Sequence, residues 1–159
     1  MTDDRRQITL RPAVGEDEAL LSRIFAANRE APFKAAGLPE PQIARLLLMQ
    51  REAQLSQYRS LFPDATVDVV LADGTPVGYL HVDRGEERYT LVDVAFLPAT
   101  TGQGIGTHVV GAFLREARAA GKPVSAHVEK DNPAWRLWQR LGFRIVNDDG
   151  VYLEIECLP

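Results

Sequence analysis

Apolar and polar positions alternate in short blocks along this chain, and the period of the alternation changes from block to block. Gln7 to Arg11 alternates with a period of two, with Ile8 and Leu10 on one side, which predicts a short strand that Pro12 stops. From Glu16 to Arg29 the period lengthens. Leu20, Leu21, Ile24 and Phe25 fall on one helix face, and acids crowd the first turn, where the helix dipole favours them. Glu30 to Gly37 reads as a break containing Pro32 and Gly37. Pro39 and Pro41 suit the start of a second helix, which runs to about Arg59 with Ile43, Leu47 and Leu55 inward. Two helices in succession after one strand are placed to wall a substrate site.

Thr66 to Ala72 is valine-rich and strand-like. Asp73-Gly74 is a hairpin signal, and Val77 to Val82 is the return strand. A charged turn, Arg84 to Arg88, leads into a central strand from about Tyr89 to Leu97. These three strands read as antiparallel. Pro98 ends the central strand, because proline has no N–H for a sheet ladder. Then come Gly102, Gly104 and Gly106, and a helix follows at once, with Ile105, Val109, Phe113 and Ala117 on one face. Gly121 and Pro123 stop it near Ala120. Val124 to Glu129 is a strand, and its helical connection predicts that it lies parallel to the central one. Asn132 and Pro133 mark the start of another helix, with Ala134, Leu137, Trp138 and Leu141 inward and Gly142 closing it. Phe143 to Val146, a turn at Asn147 to Gly150, and Val151 to Glu156 make a last hairpin. The sum is a mixed α+β sheet of about seven strands with about four helices, in one domain over residues 1–159.

Strand, glycine-rich turn and helix can hold a phosphate. The first N–H groups of a helix have no partner within it, and the dipole adds roughly half a positive charge there. Without side chains in the way, a pyrophosphate can approach them. A tight connection alone would explain the same glycines.

Composition narrows the picture. The chain has 159 residues, 45% of them hydrophobic and 25% charged, with a formal net charge of −4. That is the make-up of a globular domain, with no general basic surface to recruit nucleic acid. No apolar run approaches the ~20 residues that cross a bilayer, and Met1 to Arg6 is polar, so the expectation is a cytoplasmic protein that binds neither membrane nor nucleic acid. The single cysteine, Cys157, cannot form an internal disulfide and reads as structural or incidental.

Two segments carry a family resemblance. The first is Thr101-Gly102-Gln103-Gly104-Ile105-Gly106. The second is Asn132-Pro133-Ala134-Trp135-Arg136-Leu137-Trp138-Gln139-Arg140-Leu141-Gly142-Phe143. Together, in order and at this spacing, they resemble the acyl-coenzyme A loop and the later Asn-Pro-Ala…Leu-Gly-Phe segment of the GCN5-related N-acetyltransferase (GNAT) superfamily. The resemblance in element order covers almost the whole chain, more loosely in the N-terminal helices, the region that carries acceptor specificity in the superfamily. It implies the GNAT acyltransferase fold and acetyl-coenzyme A as cosubstrate, with no metal. The amides from Gln103 to Thr107 (Gln103, Gly104, Ile105, Gly106, Thr107) would hold the pyrophosphate. The strand edge at Val94, Ala95 and Phe96 would pair with the pantetheine arm. Asn132 would hydrogen-bond the pantetheine, and Trp135 and Trp138 would pack near the coenzyme. The thioester would lie where the central strand and the next one splay apart. Two positions depart from the pattern. Thr101 stands where Arg or Gln is usual, which removes one charge-assisted contact of about 1.5–3 kcal/mol. Trp138 stands where a tyrosine often protonates the departing thiolate, and an indole N–H is no usable acid.

Acetyl transfer to an amine needs a group to take the ammonium proton, since the alkylammonium pKa is near ~10.4. Asp93, inside the apolar central strand, is the first candidate, because a carboxylate there is costly unless paired or used. Glu129, at the end of the next strand, is the second. His127 shares a strand face with Glu129, and His81 lies in the preceding strand; each can equally be a sheet-face histidine. Tyr79, Tyr89 and Tyr152 read as packing residues. The charged turn Arg84 to Arg88 reads as solvated surface. Arg115, Arg118 and Lys122 either reach the coenzyme's 3′-phosphate or form a solvated helix face.

The expected activity is acetyl transfer from acetyl-coenzyme A to a primary amine, directly in a ternary complex. The expected acceptor is a small molecule, and a protein amine is the alternative. A non-catalytic acyl-coenzyme A-binding sensor is a rival of a different class, favoured by Thr101 and Trp138. A dinucleotide-binding domain fits poorly, since its glycines belong after the first strand. Exposed C-terminal apolar residues and edge strands make a homodimer the expected assembly if the chain is not a monomer.

Overall fold

The computed structural model describes residues 6–132 and 134–159. The polar stretch from Met1 lies outside them as far as residue 5, and so does Pro133. The chain begins with β1 (Ile8–Pro12), α1 (Glu18–Ala27), α2 (Ala31–Ala35) and α3 (Glu40–Leu61). The antiparallel run β2 (Thr66–Ala72), β3 (Thr75–Arg84) and β4 (Tyr89–Phe96) follows. Then come α4 (Ile105–Ala119), β5 (Val124–Glu129), α5 (Trp135–Arg140), β6 (Arg144–Asp148) and β7 (Tyr152–Cys157). The strands form one seven-stranded sheet in the order β1-β2-β3-β4-β5-β7-β6. Only the β4–β5 pair is parallel. Among the described residues, no helix is long and apolar enough to cross a membrane.

Two expectations are corrected. The break between α1 and α3 contains the short helix α2, so among the described residues five helices flank the sheet where about four are expected. Pro32 is its second residue, in the first turn, where the missing N–H costs nothing. The helix expected from Asn132 begins only at Trp135, because the Asn132 side chain accepts the Ala134 N–H at 2.9 Å and forms a turn ahead of it.

The larger core lies between the sheet and α4. Leu80, Val82, Leu91, Val110, Phe113 and Ile155 are all buried there, and the apolar face of α4 meets them as its spacing predicts. Trp138 and Cys157 belong to the same cluster. Burial pushes the Cys157 thiol up, as suits a structural cysteine. A second, smaller cluster on the opposite face joins Leu21 and Ile24 of α1 to Val69 and Tyr79. The charged turn is exposed at Arg84, Glu86, Glu87 and Arg88, as expected, and is also pinned to its neighbours. Arg84 pairs with Glu116 of α4, Arg88 donates to Ser125 at 3.2 Å, and Lys122 donates to the Gly85 carbonyl at 3.1 Å.

Two bulges reshape the middle of the sheet. In β3 the partners step from Val70↔Gly78 to Leu71↔Pro76, leaving Val77 extra. In β4 they step from His81↔Asp93 to Val82↔Leu91, leaving Val92 extra. A bulge changes which face the following side chains take. Leu91 therefore packs in the α4-side core, while Asp93, two residues on, pairs with His81 on the face toward α1 and α3.

Candidate active site

The site begins where β4 and β5 part. They pair only at Tyr89↔Val124, Thr90↔Ser125 and Leu91↔Ala126. Beyond that, β4 stays on β3 as far as Phe96↔Gly78, and β5 stays on β7 as far as Glu129↔Tyr152. Each strand keeps its outer neighbour and loses its inner one, so a gap opens. The Val92 bulge sits where pairing stops, as a kink in β4 would have it.

Ladder periodicity tells which peptide groups face the gap. The Leu97 N–H donates to the Val77 carbonyl at 2.8 Å, so Leu97 is directed at β3. Alternation then directs Ala95 to β3, and Val94 and Phe96 to the gap. The peptide groups of Ala95 belong to the β3 ladder, where it pairs with Tyr79. The Phe96 carbonyl is taken by the Asn28 amide at 2.9 Å, while the same amide group also donates to the Ile24 carbonyl at 2.8 Å. The end of α1 is thus tied to the tip of β4. The Phe96 ring lies across Gly78, where a Cβ would come within 2.5 Å of both that ring and the Ala95 carbonyl. Only glycine allows that approach.

The glycine turn follows directly. Pro98–Thr100 forms a single 3-10 turn, and the Thr100 hydroxyl donates to the Leu97 carbonyl at 2.7 Å. Gly104 has φ of 76°, a left-handed conformation that glycine adopts freely. The first helical bond runs from the His108 N–H to the Gly104 carbonyl, so the amides of Gly104, Ile105, Gly106 and Thr107 precede it and have no partner within the helix. The Gln103 N–H donates to the Thr100 carbonyl at 3.3 Å, within the turn itself. A Cβ at Gly104 would meet nothing within 4 Å, so there is room for an anion in front of the turn.

On the α1/α3 face, the Tyr79 hydroxyl donates to Asp93 at 2.7 Å. Burial, and then the Asp93 charge, push the Tyr79 hydroxyl well up, so Tyr79 stays a donor. The packing role expected of Tyr79 is therefore only half of what it does, since it also orients the acid. His81 lies beside Asp93 in the register and meets the Tyr58 ring of α3 edge-on at 5.4 Å. Burial lowers its pKa against the opposing pull of Asp93, so the imidazole is neutral at neutral pH. Burial and Asp93 likewise raise Tyr58.

The inward stripe of α3 explains this wall. It runs Ile43, Leu47 and Arg51, all buried, and then reaches half-buried Tyr58. Arg51 stands where the helical spacing calls for an apolar residue, and this is the signal that sequence reasoning passed over. It pairs with Glu18 at 3.1 Å, and its guanidinium lies 5.9 Å from the Phe25 ring centre. Arg29 lies over the same ring at 4.2 Å.

The remaining sequence candidates are spread out. Val124, Ala126 and Val128 face the α4-side core, so His127 and Glu129 share the other face with Asp93, but on the far wall of the gap. Glu129 is exposed and lines an open groove of about 430 Å³ with Lys130, Asp131, Gly150, Val151 and Tyr152. Trp138 is buried and meets Phe143 edge-on at 6.4 Å, as a core residue, while Trp135 is half-buried against the same core. Asn132 spends its side-chain oxygen on the turn before α5. Arg115 lies ten positions along α4 from Ile105, about 15 Å from the glycine turn by helix rise.

Comparison with known proteins agrees with this geometry. The model of the acetyltransferase (GNAT) family matches residues 29–143. A mycothiol acetyltransferase of Actinosynnema mirum is 38% identical over 81 residues, which is 48% of this chain and 27% of that protein. The match therefore spans about a quarter of that relative's length. The PaiA N-acetyltransferase of Thermoplasma acidophilum, solved in complex with coenzyme A, superposes with a TM-score of 0.72 at 17% identity, covering 96% of this chain and 99% of that one. An acetyltransferase of Thermus thermophilus gives 0.68 at 25% identity, covering 96% and 97%.

Proposed function

The chain belongs to the acetyltransferase (GNAT) family, and on that premise we propose that it transfers the acetyl group of acetyl-coenzyme A to a primary amine of a small molecule, directly, in a ternary complex. The observation that carries the reading is the parting of β4 and β5 beyond Leu91 and Ala126, with the amide turn at the outer end of the same β4. The amides of Gly104 to Thr107 hold the pyrophosphate, where the helix dipole favours negative charge. The N–H and carbonyl of Val94, and the N–H of Phe96, offer the pantetheine arm the pairing that β5 gives up. That aims the thioester into the gap beside the Val92 bulge. A gap-facing backbone N–H stabilises the charge that builds on the thioester oxygen.

Asp93, steadied by Tyr79, binds the ammonium of the acceptor on the α1/α3 face and takes one of its protons; the neutral amine so formed attacks the acetyl carbon, and the second N–H proton passes to water as the tetrahedral adduct collapses. The C–S bond breaks, and the thiolate leaves with the electron pair. Trp138 protonates nothing, being a buried indole; a thiolate whose conjugate acid has a pKa near ~8.5 leaves without strong assistance. The Tyr79–Asp93 pair favours an enzyme over a silent coenzyme sensor, since binding coenzyme alone gives no use for an oriented acid on that face.

Titration with acetyl-coenzyme A and thiol release over a panel of amines test the reading. Asp93→Asn lowers turnover by ~10²-fold or more with coenzyme affinity unchanged. Turnover that is equal across alkaline pH in the variant removes Asp93 from the role.

A further inference from the structure

Arg29 is the charge on this face that nothing so far explains. Its guanidinium carbon lies over the ring of Phe25, 4.2 Å from the ring centre, and Phe25 itself is 2% exposed. Arg51, the other cation over that ring, spends two donors on Glu18, at 3.2 and 3.1 Å. Arg29 has no carboxylate within ion-pair distance among the described residues. It is half-buried rather than free in water. Its place is fixed from behind, because Asn28, the residue before it, binds the Phe96 carbonyl at the rim of the gap. The charge of Arg29 bears on the hydroxyls of both Tyr58 and Tyr79, the latter being the donor to Asp93. A location at the end of α1 suits a cation, but it does not require the side chain to fold onto Phe25. The cation–π contact holds the guanidinium over the ring, and its N–H donors remain available to a planar anion.

A fixed carboxylate and a fixed guanidinium on one face are complementary to a molecule carrying both charges. We infer that the acceptor carries its own carboxylate, held by Arg29 while Asp93 holds the amine, so that the substrate class is an amino-carboxylic acid rather than a plain amine. The inference rests on the acetyl-transfer reading above and narrows its acceptor. Arg29 is a specificity residue here, and Asp93 does the proton transfer.

The test compares amino acids with their primary amides and with the amines that lack the carboxyl group. In the wild type, kcat/KM for acids exceeds that for amides and plain amines by ~10- to 100-fold, the worth of one bidentate charge-assisted pair. Arg29→Gln loses that ratio through KM, with kcat within about threefold and acetyl-coenzyme A affinity unmoved. Arg29→Lys keeps part of it, and stands in if Arg29→Gln does not fold. Equal use of acids and amides by the wild type overturns the inference, and so does an acid preference that survives in Arg29→Gln. In either case acetyl transfer to plain amines leaves the parent reading standing. A protein that acetylates no acid at all overturns the inference too, and failure to bind acetyl-coenzyme A in titration shows that the parent reading has fallen with it.

Discussion

The two faces of the sheet differ in what they bury. Toward α4, strands and helix meet through Leu80, Val82, Leu91, Val110, Phe113 and Ile155, side chains with no polar atoms to satisfy. Toward α1 and α3 the shared apolar cluster is small, and beyond it lie Arg29 and Arg51 over Phe25, and Tyr58, His81 and Asp93. Interior polar groups must find partners. Tyr79 finds Asp93 and Arg51 finds Glu18, while Arg29, among the described residues, finds only a ring. The first face stabilises the fold and sets α4, the helix with the proposed anion site at its N-terminus. The second forgoes apolar burial to hold charges that chemistry can use.

The largest expected effect comes from breaking the first face. Phe113→Ala should cost ~3–5 kcal/mol by urea unfolding, whereas Leu21→Ala, on the small cluster, should fall at the lower end of the ~2–5 kcal/mol range. Equal losses would erase the distinction between the faces. Next comes the anion site. Gly104→Glu should lower acetyl-coenzyme A affinity by at least ~10²-fold in calorimetry, because it sets a negative charge against the diphosphate. Gly104→Ala carries the same left-handed backbone penalty without the charge and should lose far less. Similar losses in the two variants would assign the effect to the backbone.

Tyr79→Phe sharpens the contrast from the other side. It removes one hydrogen bond and little volume, so stability should change by about 1 kcal/mol while turnover falls by ~10-fold through the loosened Asp93. A variant with unimpaired turnover would make the tyrosine a packing residue after all.

The smallest effects are pH-dependent, and their signs follow from linkage. Burial lowers the His81 pKa in the fold, while the unfolded imidazole titrates near ~6.5. Below that pH the unfolded chain takes the proton first, so stability should decline as pH falls, and His81→Phe should flatten this part of the urea-midpoint profile. Arg11, donating to both Asp17 oxygens, holds that carboxyl at about 2. Its contribution is therefore present above ~3.9, the unfolded value, and lost as pH falls toward 2, which Asp17→Asn should abolish. A midpoint profile unaltered by either variant would detach these groups from stability.

Much of this was legible in the order of residues. Alternation marked the strands, and the four-residue spacing from Ile105 to Ala117 marked the face of α4, because both periods are set by backbone geometry alone. The glycine turn was legible for the same reason: an apolar strand, glycines and a helix face in immediate succession leave the backbone few other courses. Trp138 shows the limit. Its position in the motif pointed to the coenzyme, and that it is also buried edge-on against Phe143 was not legible there. Arg51 shows a signal that was present and unread, a cation on the inward stripe of α3.

Local sequence thus determined the strands, the glycine turn and the place of Asp93 in the central strand, since each depends on neighbours a few residues apart. Only the tertiary structure decided which way Asp93 faces and what surrounds it. That choice turns on one extra residue, Val92, which exists as a bulge only through the register of β4 against β3. The grouping of Arg29, Arg51, Tyr58, His81 and Asp93 likewise depends on helices and strands far apart in the chain meeting over one ring and one gap, and no local pattern encodes such a meeting.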